Sequence, residues 1–189
     1  LIADEVQTGL GRTGRMWAFE HTRTIPDVVC MAKGLGNGLP ISAVVAGHRL
    51  MSAWEPGEHG GTYGGNAVAC AAAEAVVTTL VHDELPERAA RLGVQALERI
   101  RGWRQATPEL ADVRGLGLMI GLEFMQGDRP AKHLTAHIQR HALADDLLVL
   151  ICGTNDNVIR FIPPLTVTED ELDRGLSILE TAVRSEQRR

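Results

Sequence analysis

The sequence predicts an α/β fold that continues into an α+β unit, and three observations lead to this prediction. Short apolar runs near the start, such as 28–32, end directly in a polar residue, as buried strands of a parallel sheet do. Glycine-rich loops follow those runs. Residues 67–80 are rich in alanine, and 84–101 repeat apolar residues at helical spacing. We place the boundary between two domains, 1–83 and 84–189.

The first portion alternates strands with loops. The predicted strands lie at residues 1–3, 28–32 and 41–47, the third having the small and β-branched residues of a central strand. Loops are predicted at 7–15, 34–40 and 57–66, with a short helical turn at 16–21. The helix that starts after Asn66, its predicted N-cap, is expected to pack tightly against a sheet.

The second portion alternates shorter elements. Helices are predicted at 84–101, at 135–144 and after Thr168, and strands at 113–124, 147–152 and 157–162. Gly115 and Gly117 interrupt the first of these strands. Thr168 and Glu171 form a capping box, which marks the start of the last helix.

Composition excludes several classes of protein. The 24 acidic residues outnumber the 19 basic ones, giving a net charge of −5, whereas nucleic-acid-binding proteins need clustered lysine and arginine. The three cysteines form no C-x-x-C pair and the histidines no metal-binding spacing, so we expect reduced thiols, a cytoplasmic protein and no metal. No apolar run reaches the roughly 20 residues that span a bilayer. The one basic stretch, 184–189, is expected to be a frayed end.

Asp4 and Lys33 each follow an apolar run and are the candidate catalytic pair. A carboxylate for a pyridinium nitrogen and an amine for a Schiff base are what a pyridoxal phosphate site needs. Burial at a strand end would lower the pKa of the lysine. On local sequence alone, a lysine in this position is more often a surface residue, and Asp4 could be a helix cap or a partner of Arg12 or Arg15. The neighbouring Glu5 is expected to be a solvated or structural residue.

Two further stretches are candidates for binding anions. The loop 60–66 offers backbone N–H groups, the Thr62 hydroxyl and a helix start, which together can bind phosphate, although such loops are usually only turns. Arg160 lies inside an apolar strand, where its guanidinium needs a carboxylate. That carboxylate could belong to a ligand or to a structural salt bridge.

Taken together, these motifs resemble those of the class III, 4-aminobutyrate-type, pyridoxal-phosphate-dependent aminotransferases of fold type I. The spacing agrees as well, with 29 residues from Asp4 to Lys33 and 29 from Lys33 to Thr62. The resemblance extends over essentially the whole chain, to the C-terminal part of the family's sequence. Its matching stretches are 4–9, 11–14, 26–27, 32–35, 38–40, 61–66, 114–119 and 157–165.

The resemblance implies a role for each candidate residue. Lys33 would form the Schiff base with pyridoxal 5'-phosphate and move the substrate proton, and Asp4 would pair with the ring nitrogen. Gln7 would lie by the phenolic oxygen. Thr62 would bind the cofactor phosphate of the partner subunit in a homodimer with shared sites. Arg160 would bind the α-carboxylate of glutamate or 2-oxoglutarate.

The implied reaction transfers an amino group from an ω-amino acid, such as 4-aminobutyrate, to 2-oxoglutarate. Acetylornithine or ornithine aminotransferase, an amino-acid racemase of the same family, and a catalytically inactive truncated scaffold remain alternatives. The resemblance assigns 1–83 to the end of the cofactor-binding large domain and 84–189 to the small domain.

Two departures from the family pattern qualify these expectations. Asn37 stands where a glycine is common, and asparagine also accepts left-handed backbone. The chain begins with Leu1 inside an apolar strand and lacks the family's N-terminal half, with its phosphate-binding loop and ring-stacking aromatic residue. We therefore expect the 189-residue chain alone neither to hold cofactor tightly nor to turn over.

Overall fold

The structure, a computed structural model, describes residues 1–185 and contains two compact units. The first is Leu1–Arg88 and the second begins at Ala89. Most of the basic stretch 184–189 lies outside the described residues.

The first unit is built on a three-stranded sheet. Its strands are β1 (Ile2–Asp4), β2 (Val28–Met31) and β3 (Ala43–Ala46), in that order. β1 and β2 are parallel, as predicted, and β3 is antiparallel to β2. β3 is antiparallel because residues 32–42 are too few for the helical crossover that a parallel neighbour requires. Within the described residues β3 pairs only with β2, so it is the outer strand of this sheet and not the predicted central strand.

The helices of this unit begin close to where the sequence places them. α1 (His48–Met51) was not predicted, whereas α2 (Ala67–His82) starts as expected, with Asn66 Oδ1 accepting a hydrogen bond from Ala69 N at 3.0 Å. The predicted turn near 16–21 is a short 3₁₀ helix, Ala18–His21. Only Ala69 and Leu80 of α2 are buried, so the expected tight packing against a sheet is not found in the described residues.

The second unit is an antiparallel sheet covered by helices. Its elements are α3 (Leu85–Gly102), which begins in the first unit, β4 (Leu110–Leu116), β5 (Met119–Gln126), β6 (Arg129–Pro130), α4 (Lys132–Ala144), β7 (Leu150–Cys152), β8 (Val158–Phe161) and α5 (Glu169–Arg184). The sheet order is β4-β5-β8-β7, with β6 on β5. One face of the sheet forms a continuous apolar core with α3, α4 and α5. None of the described helices is long and apolar enough to cross a membrane.

The glycine break predicted within 113–124 is the turn of a hairpin. β4 and β5 pair from Leu110, opposite Phe124, to Leu116, opposite Met119. Gly117 lies in the turn between them and takes a positive φ of 52°. Gly93, in the middle of α3, packs against this turn, and a Cβ atom there would collide with the Gly117 carbonyl. Glycine usually destabilises a helix, but at position 93 it allows α3 to pack closely against the hairpin of β4 and β5.

The capping box of the last helix is confirmed. Thr168 Oγ1 accepts a hydrogen bond from Glu171 N at 3.2 Å, and the Glu171 carboxylate accepts one from Thr168 N at 2.9 Å. The bond from the Thr168 backbone is the main reason that the pKa of Glu171 lies below its usual value. Local sequence alone therefore places the start of α5.

We predict that Gly93→Ala lowers the free energy of unfolding, although alanine is the better helix former by about 1 kcal/mol. The added methyl overlaps a backbone carbonyl that cannot move without distorting the hairpin, and such overpacking costs about 1–3 kcal/mol. Urea unfolding measures the effect. Gly102→Ala, where a Cβ meets no atom within 4 Å, is the control and should be neutral. Equal stability of the two variants would contradict this packing role.

Candidate active site

The candidate catalytic residues lie where β1 and β2 end at the same edge of the first sheet. Asp4 is opposite Cys30 in the register, and Glu5 N donates to Cys30 O at 2.9 Å. Because the two strands are parallel, their carboxyl ends meet at one edge, where α/β proteins place their ligands. Lys33 follows β2 by two residues, so the pairing brings it to the edge that carries Asp4.

Lys33 is held in a strained backbone conformation at this edge. Its φ of 46° is in the left-handed region, which residues with a side chain rarely adopt, and such strain is concentrated at functional sites. Its Nζ donates to Gln7 Oε1 at 3.4 Å, a contact between two of the candidate residues. The side chain is exposed, so the expected burial of Lys33 is not provided by residues 1–185.

Asp4 is the last residue of β1 and its side chain is exposed. One carboxylate oxygen, Oδ1, accepts a hydrogen bond from Val6 N at 3.1 Å, the local turn that aspartate commonly makes. Within residues 1–185 the carboxylate forms no ion pair, with Arg12 or with Arg15. The alternative that Asp4 pairs with Arg12 or Arg15 is therefore not found within the described residues, where Oδ2 accepts no hydrogen bond.

Glu5 is the residue that the sequence reasoning undervalued. It is only 3% exposed, and its carboxylate accepts hydrogen bonds from Thr8 Oγ1 at 2.5 Å and from Phe19 N at 3.0 Å. These bonds tie both ends of the loop after β1 to the sheet, which positions Gln7 beside Lys33. Strand alternation separates the two acidic residues, since neighbours point to opposite faces. The structural alternative for Glu5 is correct.

Thr62 lies in the glycine-rich loop before α2, and this loop is exposed throughout. Gly64 N donates to Gly61 O at 3.0 Å, which closes a tight turn that includes Thr62. No hydrogen bond joins Thr62 to Asp4, Gln7 or Lys33 in the described part of the chain. Its assignment to the phosphate of a partner subunit stays a prediction.

Arg160 belongs to the second unit, in β8, where it pairs with Gly121 of β5 and Leu150 of β7. Its Nε is buried and has no hydrogen-bond partner among the described residues. The structural salt bridge that the sequence left open is not formed within residues 1–185. A buried guanidinium nitrogen without a partner is costly, so this side chain suits a carboxylate ligand.

A second arginine on the same sheet was not singled out by itself from the sequence. Arg114 Nη1 donates to Asp112 Oδ2 at 2.7 Å and to Glu123 Oε2 at 2.5 Å. These two bonds, the one to Asp112 first, raise the pKa of Arg114 above its usual value. The alternating polar residues of β4 and β5 were the sequence signal that could have revealed this cluster.

The residues at the edge of the first sheet fit pyridoxal phosphate. Lys33 supplies an exposed amine, Asp4 an accessible carboxylate oxygen, and Gln7 an amide in contact with the amine. Asn37, in the loop after Lys33, takes a φ of 45°, which confirms the expected left-handed backbone. No group of three or more His, Cys, Asp or Glu that could hold a metal ion occurs among the described residues.

Comparison with known proteins gives one family. The model of the class-III aminotransferases matches residues 1–183. The chain is 43% identical to the 4-aminobutyrate aminotransferase of Mycobacterium leprae, covering 94% of this chain and 40% of that protein. It is also 43% identical to the acetylornithine aminotransferase of Methanopyrus kandleri, covering 98% of this chain and 45% of that protein.

The fold agrees with a solved structure of the same kind. The ornithine aminotransferase of Toxoplasma gondii superposes with a TM-score of 0.91 at 34% identity, covering 100% of this chain and 44% of that one. The chain thus spans less than half the length of these relatives.

We predict that Glu5→Ala destabilises the first unit more than Glu5→Gln does. Alanine leaves the Phe19 N–H and the Thr8 hydroxyl without their acceptor, and each bond to a charged group is worth about 1.5–3 kcal/mol. Glutamine retains one acceptor for Phe19 and can donate to Thr8 Oγ1. Unfolding free energies and hydrogen exchange of the Phe19 amide measure the difference. Equal effects of the two variants would refute the anchoring role.

Proposed function

We propose, from the premise that this chain belongs to the class III aminotransferase family, that it carries the covalent centre of a pyridoxal-phosphate-dependent aminotransferase. The amino donor is an ω-amino acid, 4-aminobutyrate in our proposal, and the acceptor is 2-oxoglutarate. The observation that carries the proposal is the parallel pairing of β1 and β2, which brings Asp4, Gln7 and Lys33 to one sheet edge.

The small number of lysines limits which residue of this sequence can bind the cofactor covalently. Lys33 and Lys132 are the only lysines of the sequence. Lys132 Nζ forms a salt bridge with Asp156 at 2.6 Å, on the first turn of α4, whereas Lys33 Nζ has an amide oxygen as its neighbour. Lys132 is thus engaged in an ion pair, whereas the only partner of the Lys33 amine among the described residues is the Gln7 amide, which leaves Lys33 as the candidate covalent residue.

Each residue at the edge has a distinct task. Bound pyridoxal phosphate supplies an electron sink that weakens the bond to the substrate proton. Lys33 Nζ would hold the cofactor covalently and, as a free amine, would carry the substrate proton. The Asp4 carboxylate would hold the ring nitrogen in its protonated form. Gln7 would hold the phenolic oxygen, and Thr62 would hold the cofactor phosphate of the partner subunit in a homodimer.

Arg160 provides the carboxylate site for the 2-oxo acid. Its Nε lacks a partner within the described residues, and a guanidinium offers two parallel N–H bonds to one carboxylate. Such a two-pronged contact orients the substrate as well as binding it. This assignment is supported by the buried donor and by the place of Arg160 between two apolar residues of β8.

We assign 1–83 to the C-terminal part of the cofactor-binding large domain and 84–189 to the small domain of a cytoplasmic enzyme. The boundary between the two compact units, after Arg88, supports a division near the start of α3. An acetylornithine donor is the second candidate, because the relative of that name is as similar to the chain, at 43% identity, as the 4-aminobutyrate one.

The donor is tested with the full-length natural protein. Rates of cofactor conversion with 4-aminobutyrate, 5-aminovalerate, ornithine and acetylornithine, each without acceptor, rank the donors directly. A clear preference for acetylornithine would replace 4-aminobutyrate in the proposal. A protein that converts none of them, and racemises no amino acid, would be an inactive scaffold.

We predict that Lys33→Ala abolishes transamination, by a factor of about 10³ or more, because both the covalent attachment and the proton carrier are lost. Borohydride reduction followed by mass spectrometry should place the trapped cofactor on the peptide containing Lys33 in the unmodified protein. Lys132→Ala is the matched control and should retain both the adduct and the activity. An adduct on Lys132, or an active Lys33→Ala variant, would overturn the assignment.

We predict that Arg160→Lys raises the KM for 2-oxoglutarate by about tenfold or more, since one ammonium cannot reproduce a bidentate contact. Arg91→Lys, whose Nη1 pairs with Glu169 at 2.7 Å on the exposed surface of α3, is the control. Steady-state kinetics with varied 2-oxoglutarate give the answer. An unchanged KM would remove Arg160 from the substrate site.

A further inference from the structure

The face of the second sheet that points away from its core carries two arginines beside one glycine. Gly121 of β5 pairs with Arg114 on β4 and with Arg160 on β8. Directly paired residues of an antiparallel sheet project from the same face. The two guanidinium groups therefore rise on either side of a position that has no side chain.

Glu123 lies equally far along the sheet from both arginines. It lies two residues after Gly121 on β5, so Arg114 and Arg160 are both its diagonal neighbours, one on each adjacent strand. Diagonal neighbours are about 7–8 Å apart, a distance that long side chains bridge. The Glu123 carboxylate can therefore pair with either arginine.

The structure shows which arginine Glu123 pairs with. Its Oε2 accepts from Arg114 Nη1 at 2.5 Å, and its Oε1 accepts from Nδ2 of the buried Asn157 at 3.3 Å. Arg114 also holds Asp112, whereas Arg160 forms no ion pair in the described part of the chain. Arg114 is thus paired with carboxylates of the chain itself, whereas Nε of Arg160 is buried and has no hydrogen-bond partner among the described residues.

We propose that Arg114 is a positioning residue: it keeps the Glu123 carboxylate away from Arg160 and so leaves Arg160 open to a carboxylate of the 2-oxo acid. The proposal rests on the function proposed above for Arg160. A carboxylate tethered on the neighbouring strand acts at an effective concentration of about millimolar or higher, which competes with a soluble substrate.

The surroundings of Glu123 indicate where it would go without Arg114. Asp112 is its direct cross-strand partner on β4, and like charges placed directly opposite repel each other. Loss of Arg114 leaves that repulsion unbalanced on the β4 side. Arg160, on the β8 side of the same face, has a side-chain donor without a partner among the described residues, and Gly121 has no side chain that would block the approach.

A purely structural role for Arg114 gives a different result. If Arg114 only holds β4 to β5, its loss lowers stability, and neutralising Glu123 as well removes one more contact. If Arg114 restrains Glu123, neutralising Glu123 restores the affinity for substrate. The double variant Arg114→Gln/Glu123→Gln therefore separates the two roles.

The experiment measures 2-oxoglutarate affinity in the full-length natural protein, by calorimetry and as KM. Arg114→Gln should weaken binding about three- to fivefold, the effect expected of a partly exposed competing ion pair. Arg114→Gln/Glu123→Gln should return to within about twofold of the unmodified protein, and Arg91→Gln, which breaks a surface ion pair elsewhere, should change nothing. The ¹⁵Nε resonance of Arg160 reports directly whether Glu123 pairs with Arg160. It should shift in the Arg114→Gln variant before any ligand is added.

The outcomes distinguish this inference from the function on which it rests. If Arg160→Lys weakens binding but Arg114→Gln does not, or if the double variant stays weak, the positioning role is refuted and Arg160 keeps its function. If Arg160→Lys has no effect, both proposals fall. Should Arg114→Gln not fold, Arg114→Lys retains one charge and should give a smaller loss of affinity, again reversed by Glu123→Gln. A loss that Glu123→Gln does not reverse would refute the inference.

Discussion

The parallel pairing of β1 with β2 is the constraint on which the candidate site depends. The register sets Asp4 opposite Cys30, and the bond from Glu5 N to Cys30 O extends the ladder beyond the end of β1. Two carboxyl-terminal strand ends then share one edge, although 29 residues separate Asp4 from Lys33 in the sequence. A shift of one residue would exchange the faces of Asp4 and Glu5, because side chains alternate along a strand.

That alternation gives two adjacent carboxylates different tasks. Glu5 is buried, and its carboxylate accepts hydrogen bonds from Thr8 and Phe19. It therefore holds in place the loop that carries Gln7. Asp4 is exposed and keeps one oxygen available. The strained φ of Lys33 belongs to the same arrangement, since a residue forced into left-handed backbone must be held by its surroundings. Glu5 thus supports the loop, whereas the neighbouring Asp4 is available for chemistry.

The second sheet gives Arg114 and Arg160 different roles in a comparable way. Arg114 is satisfied by Asp112 and Glu123, while Arg160 retains a buried donor without a partner in the described chain. The buried Asn157 further restrains Glu123. Selectivity for a ligand carboxylate therefore depends on which arginine the protein's own carboxylates already occupy, and not simply on the presence of a guanidinium group.

The sequence by itself determined the elements that depend on local interactions. The starts of α2 and α5 follow from the side chains of Asn66 and Thr168, and the strands follow from runs of apolar residues; the motif around Lys33 also indicated the family that the comparison then gave. Only the tertiary structure decided the edge position of β3, the exposure of Lys33, the burial of Glu5 and the pairing of Glu123 with Arg114. Each of these depends on which distant strand lies alongside, and pairing between strands is not encoded in the local pattern of either one.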